Sequence, residues 1–124
     1  MIRIVLIAAG GAAGALLRYW LSGGVYALLG KDFPYGTLSV NVVGSLLMGL
    51  VYVFLFERMA VSSEMRAALV IGLLGAFTTF STFSIETLNL IEAGEQLKAG
   101  LNVVLSVLLC LVGCWLGLLL GRQL

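Results

Sequence analysis

The sequence predicts an all-α membrane protein of four transmembrane helices, and three observations carry that prediction. Hydrophobic residues make up 61% of the chain and charged residues only 10%, too little charge for the surface of a soluble domain. Four spans of about 20 residues each nearly exhaust the 124 residues, so the chain, 1–124, reads as one transmembrane domain. The apolar runs are interrupted only by short polar stretches. Loops that short make neighbouring spans antiparallel, and an even number of spans puts both termini on one side of the membrane.

The first span is expected over residues 2–29. Its basic start at Arg3 resembles a signal peptide, but no small-x-small cleavage site is followed by a soluble domain, so the span is expected to be retained. Gly10 and Gly14 form a small-xxx-small pair that lets another helix approach closely. Arg18 lies deep in this span and is followed by Tyr19 and Trp20, residues typical of a membrane interface. That leaves two readings, one continuous helix or a segment that meets the interface near Arg18. Gly30 and Pro34 frame a loop, the first as a helix stop and the second as a start. The second span, 35–56, carries no charge. Thr37, Asn41 and Ser45 fall four apart and share one of its faces.

The third segment, 63–91, opens at Ser62 or Ser63 and is longer than one span requires. Within it runs Gly72-Leu-Leu-Gly-Ala-Phe-Thr-Thr-Phe-Ser-Thr-Phe-Ser-Ile85, with five hydroxyls from Thr78 to Ser84. A lipid-facing helix has no use for them, so they face protein, backbone or a water-lined cavity. Two preceding glycines ease departure from helical geometry, and the prediction is a helix broken between Gly75 and Thr79. Phe77, Phe80 and Phe83 recur every third residue, which predicts a common side. The fourth span, 99–121, has Asn102, Ser106 and Cys110 on one face, and Gly113 and Gly117 share a side.

Several functions are excluded at this level. There is no histidine and no pair of carboxylates within a span, so general acid–base catalysis lacks its groups, and no enzyme is predicted. Lys and Arg are scattered, which leaves no phosphate-tracking patch and no nucleic-acid partner. Cys110 and Cys114, one helical turn apart in a span, are read as small apolar fillers. Arg3, Arg58, Arg66 and Arg122 on the termini side outnumber Lys31 and Lys98 opposite. The bias favours cytoplasmic termini only weakly and is compatible with insertion in both orientations. What remains is transport. Three neutral polar tracks, Thr37–Asn41–Ser45, the Thr78–Ser84 hydroxyls (Ser81 and Thr82 among them) and Asn102–Ser106–Cys110, could solvate a small anion by donation or a cation by acceptance. Asn41 has a second reading as a helix tie, Arg18 as a snorkelling anchor, and each hydroxyl as a bond to its own i−4 carbonyl. Four short spans enclose a polar route poorly alone, which favours a route between two copies.

Three stretches then carry a resemblance: Gly10-Gly-Ala-Ala-Gly-Ala-Leu-Leu-Arg-Tyr19, Gly36-Thr-Leu-Ser-Val-Asn-Val-Val-Gly44 and Gly75-Ala-Phe-Thr-Thr-Phe-Ser-Thr-Phe83. In order and spacing they resemble the CrcB/Fluc family of bacterial fluoride channels. The resemblance implies a fluoride-selective passive channel of the bacterial inner membrane that exports cytoplasmic fluoride. It also implies an antiparallel, dual-topology homodimer with two pores, surrounded by lipid. By resemblance Phe80 and Phe83 look like pore phenylalanines whose ring edges face the ion, and Asn41 like the asparagine that supports them. Thr37 and Ser106 match the polar track opposite. The backbone carbonyls of Gly75 and Thr78, from both copies, would hold a structural sodium ion. Arg18 looks like a vestibule arginine and Glu86 like the acid near the end of the broken helix. Asn102 and Cys110 depart from the hydroxyls expected on the fourth span. Two rivals stand beside this reading. A small multidrug-type proton-coupled antiporter needs an intramembrane carboxylate, and the first span has Arg18 and no acid. A non-transporting assembly subunit would use its polar residues as ties between helices.

Overall fold

The structure, a computed structural model, describes residues 1–58 and 61–124. Helix α1 is Ile2–Leu29, one continuous helix through Arg18. It ends at Gly30, whose φ of 85° is a conformation only glycine adopts without strain. Helix α2 spans Tyr35–Arg58; its last stretch, Val53–Arg58, widens to π geometry and carries the helix beyond the expected end at Phe56. Two positions of the following connection, 59 and 60, lie outside the described residues. Helix α3, 63–77, is capped by Ser62, whose hydroxyl accepts from the Met65 amide at 3.2 Å, and is π-wound over Ala67–Leu74. Helix α4 is Phe80–Glu92. After a turn at Gly94, again at positive φ, helix α5 runs Gln96–Gln123. It starts earlier than residue 99 because the turn closes through Glu95 N–H to the Leu90 carbonyl at 2.8 Å.

The chain is therefore an all-α bundle with four apolar segments long enough to cross a membrane, the third of them divided into α3 and α4. Small residues set its packing. A Cβ on Gly10 or Gly14 would overlap the carbonyls of Ala68 and Leu73, so the glycine face of α1 lies directly on the π-wound part of α3. A Cβ on Gly49 would meet the Cys114 carbonyl, and one on Gly117 the Leu46 carbonyl. Helices α2 and α5 thus touch backbone to backbone. In lipid, where apolar surface gives no driving force, such close approach is what holds helices together. The glycine pairs read from sequence are the contact faces, and Val40 and Val53 are fully buried beside them.

The two ends of the bundle differ. On the termini side the Arg122 guanidinium forks onto Glu57 with bonds of 3.1 and 3.0 Å, the Arg58 guanidinium donates to the Arg122 carbonyl, and Arg3 donates to Ser63 Oγ at 2.7 Å. At the other end Lys98 donates to the Asp32 carbonyl at 3.2 Å.

Candidate functional site

The break between α3 and α4 is two extended residues, Thr78 (φ −88°, ψ 158°) and Thr79 (φ −151°, ψ 110°). Two unhelical residues inside a bilayer need new partners for their backbone. Asn41 on α2 supplies them. Its Oδ1 accepts from the Thr79 N–H at 2.7 Å and its Nδ2 donates to the Thr79 carbonyl at 3.0 Å. Thr79 then caps α4: its hydroxyl oxygen accepts from the Thr82 N–H at 3.2 Å and donates to Thr82 Oγ1 at 2.8 Å, the N-cap arrangement. Gly44 makes room, since a Cβ there would strike the Thr78 methyl and crowd the Phe77 ring.

These bonds have a consequence for two carbonyls. In an unbroken helix the Gly75 carbonyl would take the N–H of Thr79, and the Thr78 carbonyl that of Thr82. Both amides are engaged by side chains instead, those of Asn41 and Thr79. Two backbone oxygens are thereby released from the helical ladder, and Gly75 lies exposed on the surface of the chain.

Two cavities flank the break. The first is an open groove of about 420 Å³, mostly apolar, whose wall includes Asn41, Ser45, Phe80, Phe83, Ser106 and Cys110. Phe80 is 77% exposed, and its ring lies tilted against that of Phe83 at a centroid distance of 5.3 Å. Phe77 does not share their side. It lies before the break and is buried, because two extended residues reset the helical phase that would have aligned all three rings. The second cavity, about 330 Å³, is more polar and is lined by Arg18, Tyr26, Thr37, Thr79, Thr82 and Glu86 among others. Thr79 borders both cavities. A third, smaller hollow joins Glu86 to the surface loop at Lys31 and Asp32.

The expected site residues thus divide. Asn41, Phe80, Phe83, Ser106 and Thr78 border the groove; Arg18, Thr37, Thr82 and Glu86 border the chamber. Ser81 is exposed and lies 3.4 Å from Thr79 Oγ1. The face Thr37–Asn41–Ser45 is one stripe on α2, but the break crosses it and leaves Thr37 on the other side. Arg18 and Glu86 share the chamber without pairing: among the described residues the ion pairs are Glu57–Arg122 and Glu95–Lys98.

Two residues were not legible as partners. Tyr26 donates to Glu86 Oε2 at 3.1 Å and stands 3.4 Å from Thr37 Oγ1, with Gly36 making room for its ring. A tyrosine mid-span needs a partner for its hydroxyl, and that was the available signal. Thr87 accepts from Asn102 Nδ2 at 2.9 Å and donates to the Phe83 carbonyl at 2.7 Å, while Ser106 Oγ reaches Asn102 Oδ1 at 3.4 Å. Asn102, 1% exposed, is thus a tie between α5 and α4, away from the groove.

Fold and site together define a multi-pass membrane protein with a clamped helix break between two cavities. A family model described as CrcB-like protein, Camphor Resistance (CrcB), matches residues 5–118, and the chain belongs to that family. It is a multi-pass protein of the bacterial inner membrane. Three relatives are each named fluoride-specific ion channel FluC. The one from Methylococcus capsulatus is 57% identical over 123 residues, covering 99% of this chain and 54% of the relative, so the chain spans about half the length of that protein. One from Coxiella burnetii is 54% identical over 98% of this chain and 99% of its own length. One from Geobacter sulfurreducens is 54% identical over the full length of both.

Proposed function

We propose that the chain is the protomer of a fluoride-selective passive channel that lets cytoplasmic fluoride leave down its gradient. The relatives' names support fluoride as the ion. One observation carries the reading at the level of the site: the Asn41 clamp on Thr79, which holds a polar break in the bilayer beside the exposed Phe80 ring. The ring edge is the positive part of an aromatic quadrupole. An anion moving along the groove meets the Phe80 and Phe83 edges on one side and Ser106 on the other, whose O–H turns from its long 3.4 Å bond with Asn102 Oδ1 towards the ion. A narrow path of such donors replaces the water shell of a small anion and leaves a larger one such as chloride under-solvated. On the chamber side Arg18 attracts the ion, Thr37 and Thr82 extend the hydroxyl track and Glu86 stands towards the loop, while Ser81, exposed beside Thr79, continues the track outside the chamber.

The groove lies open on one chain, which favours closure by a second copy. In this proposal the partner is antiparallel, the homodimer has dual topology, and two pores flank its interface. The freed Gly75 and Thr78 carbonyls fit a hard cation, which takes oxygen ligands; four such carbonyls, two from each copy, would hold a sodium ion. Bound there it would fix the two breaks against each other and add positive potential beside the anion path.

The test is ion efflux from liposomes that contain only the purified protein, followed with a fluoride electrode and with a chloride-loaded control. Fast fluoride release with negligible chloride release is expected. Equal release of both ions would overturn selectivity. No release from vesicles shown to hold folded protein would overturn the channel and return the antiporter and the assembly subunit.

A further inference from the structure

We propose that Cys110, Cys114 and Met48 form a soft-metal site in the wall of the groove, which takes a thiophilic d¹⁰ cation of the Cu(I), Ag(I) or Hg(II) class and closes the groove when filled. For its effect on conduction this rests on the channel reading above; the binding site itself does not.

The sequence alone makes the two cysteines apolar fillers. The structure gives them a different setting. Both are free thiols, neither fully buried, and both border the same cavity as Met48 of α2. Residues four apart on a helix have Cβ atoms about 5–6 Å apart, a separation that two thiolate sulfurs can bridge through one two-coordinate ion. Met48 borders the cavity from α2, the helix that touches α5 backbone to backbone: a Cβ on the adjacent Gly49 would strike the Cys114 carbonyl and the Leu118 amide. The set is therefore two thiolates and one neutral thioether, all sulfur.

That donor set selects its metal. Soft thiolate and thioether ligands favour Cu(I) and its heavier relatives. Zinc asks for four ligands, usually with nitrogen or further sulfur, and among the described residues no group of three His, Cys, Asp or Glu side chains comes together. Charge points the same way. Binding of Hg(II) is Hg²⁺ + 2 RSH → RS–Hg–SR + 2 H⁺, with both protons released to the buffer and no change of oxidation state. The product is neutral, so it avoids the large penalty of a net charge in an apolar wall; Cu(I) or Ag(I) stays neutral there by releasing one proton only, M⁺ + 2 RSH → RS–M–S(H)R + H⁺. The position links the site to conduction: Cys110 is one turn from Ser106 on α5, about 6 Å along the helix axis, and both border the groove with Phe80 and Phe83.

The experiment titrates purified protein with mercuric chloride and follows the ultraviolet sulfur-to-mercury charge-transfer band. The chain has only these two cysteines, so the band reports them alone. One mercury per chain is expected, with saturation lost in C110S/C114S; two independent mercury ions per chain, or none, would overturn the chelate. In parallel, fluoride efflux is measured before and after one equivalent of mercury, each variant serving as its own reference. Wild-type efflux is expected to fall about tenfold, a change of about 1.4 kcal/mol in the barrier, and to return with excess dithiothreitol. C110S/C114S efflux is expected not to respond. Stoichiometric binding with unchanged wild-type efflux would overturn the closure. If the protein releases no fluoride at all, the function proposed above fails, while the spectroscopic titration still decides the metal site.

Discussion

Two asparagines in this chain do opposite things. Asn41 bonds backbone: both its amide groups go to one residue, Thr79, at the point where the third span breaks. Asn102 bonds side chains: its amide lies between Thr87 and Ser106, and the helices around it are whole. The difference follows from what the surroundings lack. An intact helix satisfies its own backbone, so a buried amide there needs another side chain as partner. A broken helix leaves the Thr79 N–H without its ladder carbonyl in a low-dielectric setting; the amide oxygen of Asn41 takes it, and the amide N–H adds a second donor to the Thr79 carbonyl. Asn102 is sealed in, whereas Asn41 is half-buried and borders the groove.

The largest way to break the comparison is Asn41→Leu. It strands the Thr79 N–H, a loss of about 1–3 kcal/mol when left unsatisfied, and strips the second donor from the Thr79 carbonyl, which keeps its bond within α4. Fluoride efflux is expected to fall about a hundredfold, corresponding to about 2.7 kcal/mol, while size-exclusion chromatography shows the same particle; efflux near wild type would show that the clamp is dispensable. Next comes Phe80→Ile, which removes the ring edge and leaves the clamp. Efflux about tenfold lower is expected, and unchanged efflux would remove Phe80 from the path. Asn102→Leu sharpens the contrast. Thermal unfolding should shift to lower temperature by the equivalent of about 1–2 kcal/mol, the range for losing such hydrogen bonds, with fluoride efflux within about threefold of wild type by the same rate arithmetic. Smallest is Glu57→Gln at the exposed end of the bundle. Its pair with Arg122 is a surface one, weakened by water and salt, so efflux is expected to stay at the wild-type level; a measurable loss of efflux would mean that the termini end is coupled to the path.

Much of this was legible in the chain. The break was visible because five hydroxyls crowd a span that otherwise needs none, and the glycine pairs at Gly10/Gly14 and Gly113/Gly117 named the contact faces. The phase of the rings was not. Three phenylalanines at regular spacing promise one face, and only the extended conformations of Thr78 and Thr79 show that Phe77 falls out of step. Nor was the division of the α2 stripe, since spacing places Thr37 and Asn41 together and says nothing of a backbone passing between them. Tyr26 and Thr87 were missed for a third reason. Each makes sense only through a partner on another helix, and helical periodicity reports a single element.

The measurement that bears most directly on this account is fluoride efflux from liposomes holding Asn41→Leu or Asn102→Leu, at equal amounts of folded protein and with wild type alongside. If the clamped break is the seat of conduction, Asn41→Leu lowers efflux about a hundredfold and Asn102→Leu leaves it within about threefold of wild type. If Asn41→Leu conducts as wild type does, or if Asn102→Leu is the more damaging of the two, the path runs elsewhere and the clamp is only a tie between helices.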